Sequence, residues 1–117
     1  RDLPAYWDER VVVENKSEGP MPSVRGGKRL DDWGEYLATK GIPKPMRRDL
    51  ARKDFADRLG AFAWEHREAD HPDMWTGDQA VRWIENHRGT KPFFLWVGFP
   101  GPHEPYDPPP RHLAMYE

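Results

Sequence analysis

His103 has the most pointed chemical setting of any ionisable residue in this 117-residue chain. It stands in Pro100-Gly101-Pro102-His103-Glu104-Pro105. Imidazole is the side chain whose ordinary titration falls near neutral pH, so it serves both to give and to accept protons. Proline fixes φ, and a loop flanked by prolines is ordered before any ligand arrives. The same residues also suit a plain surface turn, and spacing alone does not separate the two readings. The other candidates have simpler explanations. His66 precedes and His71 lies within a polar stretch, "READHPD", and two histidines fall short of the three or four ligands a metal site needs. His87 lies late in a predicted helix, where a cation is favoured by the helix dipole. Asp31-Asp32 precedes an amphipathic stretch and reads as a helix cap. Cysteine is absent, which removes disulfides, thiolate metal sites and a cysteine nucleophile from this chain.

A strand and a helix must carry His103. Residues 93–99, "FFLWVGF", are almost all large and apolar, with no polar alternation. Such a run predicts a strand buried on both faces, as in parallel α/β sheets. Ligands in those sheets bind just beyond the C-terminal strand ends, which is where His103 falls. Before the strand, Ala80, Trp83, Ile84 and His87 share one helical face, and Thr76-Gly77-Asp78-Gln79 reads as a capping box. This predicts a helix over 76–88. A second helix is predicted over 49–68 from Phe55, Leu59, Phe62 and Ala63, weakened in its middle by Gly60. A third, about 31–40, follows from Trp33, Tyr36 and Leu37, with Gly41 as its stop. Val11, Val12 and Val13 form the only other strand candidate. The fold class expected is therefore α/β. Residues 1–48 are read as irregular apart from a short strand and helix, and 49–117 as a helix-helix-strand-loop core.

Composition narrows the functional classes. Charged residues make up 32% of the chain and hydrophobic ones 37%, with a mean hydropathy of −0.98. That is a thin core for the length, although six tryptophans argue for a folded chain. The net charge of −2 gives no field to recruit nucleic acid, and no nucleic-acid-binding motif accompanies the tryptophans. No apolar run reaches the ~20 residues of a membrane span. Residues 106–112, "YDPPPRH", also suit a polyproline II segment, but the same prolines continue the His103 loop. With a single strand neighbour on offer, the 93–99 ribbon is expected to pair with a second copy of the chain, giving a homo-oligomer.

Together, Ala80, Trp83 and Ile84 on a helix, Pro92-Phe93-Phe94-Leu95, and Pro102-His103-Glu104-Pro105 resemble the sulfatase family of the alkaline phosphatase superfamily. The resemblance covers roughly residues 73–117, and "DDWGEYLATKG" is a weaker match to the family's connecting region. It implies an internal segment, 1–117, of a larger α/β sulfatase catalytic domain. In that family the loop histidine touches the sulfate group or the leaving oxygen, so His103 is the catalytic and substrate-binding residue implied, with a sulfate ester as substrate. The family also implies a divalent metal, Ca²⁺ or a similar ion, and a formylglycine nucleophile made in a C/S-x-P/A-x-R motif. Neither has a counterpart here: there is no cysteine, and neither Ser17 nor Ser23 stands in that motif. The segment alone is thus expected to be inactive and to hold no metal ligand. The alternatives are a phosphonate or phosphodiester hydrolase of the same superfamily, or a non-catalytic interaction module.

Overall fold

A computed structural model of the chain describes residues 8–14, 16, 24–25, 28–29, 31–45, 54, 57–103 and 105–116. Its elements run β1 (Val24–Arg25), β2 (Lys28–Arg29), α1 (Asp32–Thr39), a 3₁₀ turn at Glu68–Asp70, α2 (Pro72–Asn86) and α3 (Pro110–Leu113). β1 and β2 pair antiparallel, with Val24 opposite Arg29 and Arg25 opposite Lys28. This ladder falls in a stretch read from sequence as loop. Its signal was the Gly26-Gly27 dipeptide, a combination favoured between hairpin strands.

The core is built on tryptophan. Trp33, Leu37, Trp64 and Trp75 are buried, and Val13, Tyr36 and Ile42 pack against them. Trp33 and Leu37 lie four apart on α1 and face inward together, as a helix requires. Gly41, at φ +68°, ends α1 in the left-handed conformation that glycine adopts without cost. Ile42 then donates its N–H back to the Leu37 carbonyl at 3.0 Å.

Asp31 occupies the N-cap position of α1, yet its side chain accepts nothing from the helix. It pairs instead with Lys44 and accepts the Glu14 N–H at 3.2 Å. Asp32 accepts the Val12 N–H at 2.7 Å, and the Val12 carbonyl accepts the N–H of Asp32 at 2.9 Å. The aspartate pair therefore docks residues 12–14 against α1. That arrangement corrects both the capping role and the strand expected over 11–13. Both hydrogen-bonding groups of Val12 are taken by the start of α1, leaving this segment no ladder to offer residues 93–99.

The helix expected over 49–68 is not formed in the described part of that range. Residues 57–60 make a turn in which Leu59 and Gly60 have φ of 52° and 73°, and 61–64 are extended. Residues 49–53 and 55–56 lie outside the described residues. The reason is tertiary. Ala61 bridges Tyr106 in parallel sense, Phe62 donates to the Tyr106 carbonyl at 2.8 Å, and Trp64 donates to that of Pro108 at 3.0 Å. These long-range partners, with Trp64 driven into the core, outweigh a helical spacing already interrupted by glycine.

Helix α2 starts at Pro72, four residues before the Thr76 expected from sequence. Its N-cap is His71, whose Nδ1 accepts the Asp73 N–H at 3.2 Å. Proline at the first helical position and an acidic residue in the first turn favour this start. Thr76 lies inside the helix, and its buried hydroxyl lacks a hydrogen-bond partner. At the far end, the His87 ring stacks on Trp83 at 4.6 Å and meets Phe93 edge-on at 5.0 Å.

Residues 93–99 run back along α2 without a ladder partner among the described residues. Phe93 packs on Trp83 at 4.9 Å, and Phe99 approaches Gly77. The opposite side is open: Phe94 and Trp96 are each 73% exposed. The expectation of burial on both faces is therefore not met among the described residues. One face has α2, and the segment that was to flank the strand is docked on α1.

Candidate functional site

His103 is exposed, at the end of the loop that follows residues 93–99. Its N–H closes a turn to the Pro100 carbonyl at 3.2 Å. The loop is tied to the body of the molecule from two sides. On one, the Asp73 carboxylate of α2 accepts the Gly101 N–H at 2.8 Å. The fit is close: a Cβ on Gly101 would overlap that carboxylate and force it to shift. On the other, the Lys16 ammonium donates to the His103 carbonyl at 3.2 Å and to the Pro105 carbonyl at 2.8 Å.

Lys16 is only 4% exposed, rare for a lysine without a charged partner. Its partner is Asp107, itself buried and in an ion pair with the ammonium. The imidazole of His71 completes the group, with Nε2 3.7 Å from Asp107 Oδ1. His71 Nδ1 accepts from the Asp73 N–H, which leaves Nε2 as the ring nitrogen that faces Asp107. Burial pushes the Asp107 carboxyl up, but His71 and Lys16 beside it outweigh burial and hold it below the ordinary aspartate value. An acidic group that stays ionised beneath the loop thus fixes Lys16, and Lys16 fixes the backbone on both sides of Glu104.

Beyond the loop, residues 106–108 pair with 61–64. Arg111 of α3 forms a forked contact with Glu68, donating through Nε to both carboxylate oxygens at 2.8 and 2.9 Å. The hydrogen bond from Arg111 holds the Glu68 carboxyl below its usual range. His103 is consequently carried by a short exposed segment whose two ends are anchored in the body of the protein.

Of the side chains weighed from sequence, only His103 stands in this loop. His87 belongs to the aromatic cluster at the end of α2. His66 packs edge-on against Trp64 at 5.2 Å. His71, read as a polar loop residue, is buried beneath the His103 loop. Sequence reasoning missed Lys16, Asp73, His71 and Asp107. Only the Asp73 position, in the first turn after Pro72, carried a local signal, and that signal concerned the helix start. Among the described residues, no group of three His, Asp or Glu side chains is arranged to hold a metal ion. Asp31 and Asp32 are committed to Lys44 and to backbone N–H groups.

No protein-family model matches the chain. Part of it is similar to an arylsulfatase of Clostridium perfringens (strain 13 / Type A), 35% identical over 54 residues. Those residues are 46% of this chain and 11% of the relative's length. The likeness supports a sulfatase-like relationship for that part of the chain.

Proposed function

We propose that this chain forms part of the catalytic domain of a sulfuric ester hydrolase and supplies it with His103. The observation that carries this reading is the coincidence of two independent facts. Part of the chain is related to an arylsulfatase, and the histidine of its Pro-His-Glu-Pro loop is exposed on a segment braced from both sides. On this reading His103 donates a hydrogen bond to the bridging oxygen as the S–O bond breaks. The negative charge developing on the leaving oxygen is thereby neutralised, and the proton passes to the departing alcohol.

The remaining machinery comes from other parts of the domain. The described residues do not fit a divalent-metal site, and the sequence holds no C/S-x-P/A-x-R motif for a formylglycine. On the same reading, residues 93–99 are a strand of an alkaline-phosphatase-like α/β sheet, with α2 on one face.

The test is kinetic. In the whole protein that carries this chain, His103→Ala is expected to lower kcat for sulfate esters by roughly 10²–10⁴-fold, the range for general acid–base catalysis. The loss should be larger for alkyl esters, whose leaving groups need a proton, than for nitrophenyl esters. Equal losses would place His103 on the sulfate group instead. Parallel assays with a phosphodiester and a phosphonate ester decide the reaction class, and no turnover of any of the three would favour a non-catalytic interaction module.

A further inference from the structure

We propose that Lys16 and Asp73 are positioning residues for His103, acting as a two-point clamp on the backbone of its loop. The inference rests on the reading of His103 given above, and it concerns groups to which neither the sequence nor the comparison assigns a role. Lys16 comes from a segment far from the loop in sequence, and Asp73 comes from the first turn of α2. Their ligands are main-chain groups: the Gly101 N–H on one side of Pro102-His103, and the His103 and Pro105 carbonyls on the other.

Three observations make this more than general packing. Lys16 is almost fully buried, and a lysine is buried only where its charge is compensated and its protons are used. Here Asp107 compensates it, and two loop carbonyls accept from it. A side chain at Gly101 would displace the Asp73 carboxylate, so the glycine lets the loop backbone approach closely. His71 joins the two arms, since Nδ1 accepts from the Asp73 N–H and Nε2 faces Asp107. The clamp touches backbone only, so it sets where the imidazole begins without competing for it. Donation to a leaving oxygen depends on such placement, because a displacement of about 1 Å costs up to about 10²-fold in rate.

Two sets of variants test the clamp. Lys16→Met with Asp107→Leu replaces the buried ion pair by apolar groups of similar size, an exchange that buried pairs often tolerate. Asp73→Ala removes the acceptor for Gly101, whereas Asp73→Asn retains an acceptor oxygen. In the 117-residue chain, hydrogen exchange at the Gly101 and His103 amides should accelerate at least about ten-fold in the double variant and in Asp73→Ala. It should stay near the parent rate in Asp73→Asn, with the amides of α1 unchanged throughout. Loop exchange that does not respond overturns the clamp. If the double variant also loosens α1, the Asp73→Ala and Asp73→Asn pair decides alone.

In the whole protein, the clamp variants should lower kcat for alkyl sulfate by about 10–10²-fold with little change in KM, and cost nothing further in a His103→Ala background. Equal losses in both backgrounds would show that Lys16 and Asp73 act elsewhere, and would overturn the proposal. Failure of His103→Ala itself to reduce activity sinks the functional reading, and with it the positioning role, while the exchange data still report whether the loop is clamped.

Discussion

Asp70→Asn is the change most directly legible as an energy. Asp70 is fully buried in the 3₁₀ turn before α2, where its Oδ1 accepts from the Tyr36 hydroxyl at 2.6 Å and from the Lys40 ammonium at 2.5 Å. Its own carbonyl accepts from Trp33 Nε1 at 3.0 Å, so it sits at the centre of the aromatic core. Asparagine keeps the carbonyl-type acceptor but removes the charge. It also puts an NH₂ where Oδ2 is now buried without a hydrogen-bond partner. The Tyr36 bond becomes neutral and the Lys40 ammonium loses its anionic partner, which together cost about 1 kcal/mol, and an unsatisfied buried amide adds about 1–2 kcal/mol. Lys40 is one-third exposed and recovers water, which trims its share, so the expected loss is about 2–3 kcal/mol near neutral pH. That corresponds to a melting point lower by roughly 8–20 °C.

The pH dependence separates charge from shape. Burial pushes the Asp70 carboxyl up, but the hydrogen bonds from Lys40 and Tyr36 more than offset this and leave it below its ordinary 3.8. A carboxyl depressed on folding stabilises the native state above its unfolded value, and that stability disappears as the pH falls through the folded value. The gap between parent and variant should therefore be constant above about pH 5, shrink as the pH falls below 3.8, and vanish only below the folded value. Urea melts followed by tryptophan fluorescence read it directly, because Trp33 and Trp64 are both core residues. A gap that is unchanged in acid, or absent at neutral pH, would refute the assignment of this energy to an ionised Asp70.

Other outcomes follow from the same structure. Gly34→Ala should destabilise the chain by about 1–3 kcal/mol although alanine is the better helix former, because its Cβ would overlap Asp31 Oδ2 and come to 3.0 Å from Lys44 Cε in a buried ion pair. Thermal melts check this, and a stabilised variant would mean that the pair yields freely. Phe93, Phe94, Trp96 and Phe99, each more than half exposed, present on the order of 500 Å² of apolar surface per copy, so two copies reach the lower limit of a specific interface at about 1,000 Å². Self-association is expected in light scattering across a dilution series and should weaken in Phe94→Ser/Trp96→Ser. A monomer at every concentration would count against pairing through this ribbon. The purified chain should not hydrolyse an aryl sulfate above background, and turnover that disappears in His103→Ala would show that the chain contains its own nucleophile.

The parts of the molecule that were legible in the sequence are those governed by neighbours three or four residues away. Trp33, Tyr36 and Leu37, closed by Gly41, mark α1, and Ala80, Trp83 and Ile84 mark most of α2. The turn at 100–103 that carries His103 is likewise local in origin, whereas the strand expected over 93–99 is not formed among the described residues. Backbone preference and side-chain periodicity act over one or two turns, and these stretches have no stronger competitor. What only the tertiary structure decided depends on partners far along the chain. The spacing of Phe55, Leu59 and Phe62 suggests a helix, but residues 61–64 gain backbone partners at 106–108 and a buried Trp64, which a helix there would forfeit. Val12 satisfies its backbone on Asp32 and so cannot flank the 93–99 ribbon. Lys16, one of many charged residues in a polar stretch, is buried because Asp107 and two loop carbonyls await it far along the chain. Burying a charge is favourable only where its compensation is already assembled, and that assembly is a property of the folded chain rather than of any window along it.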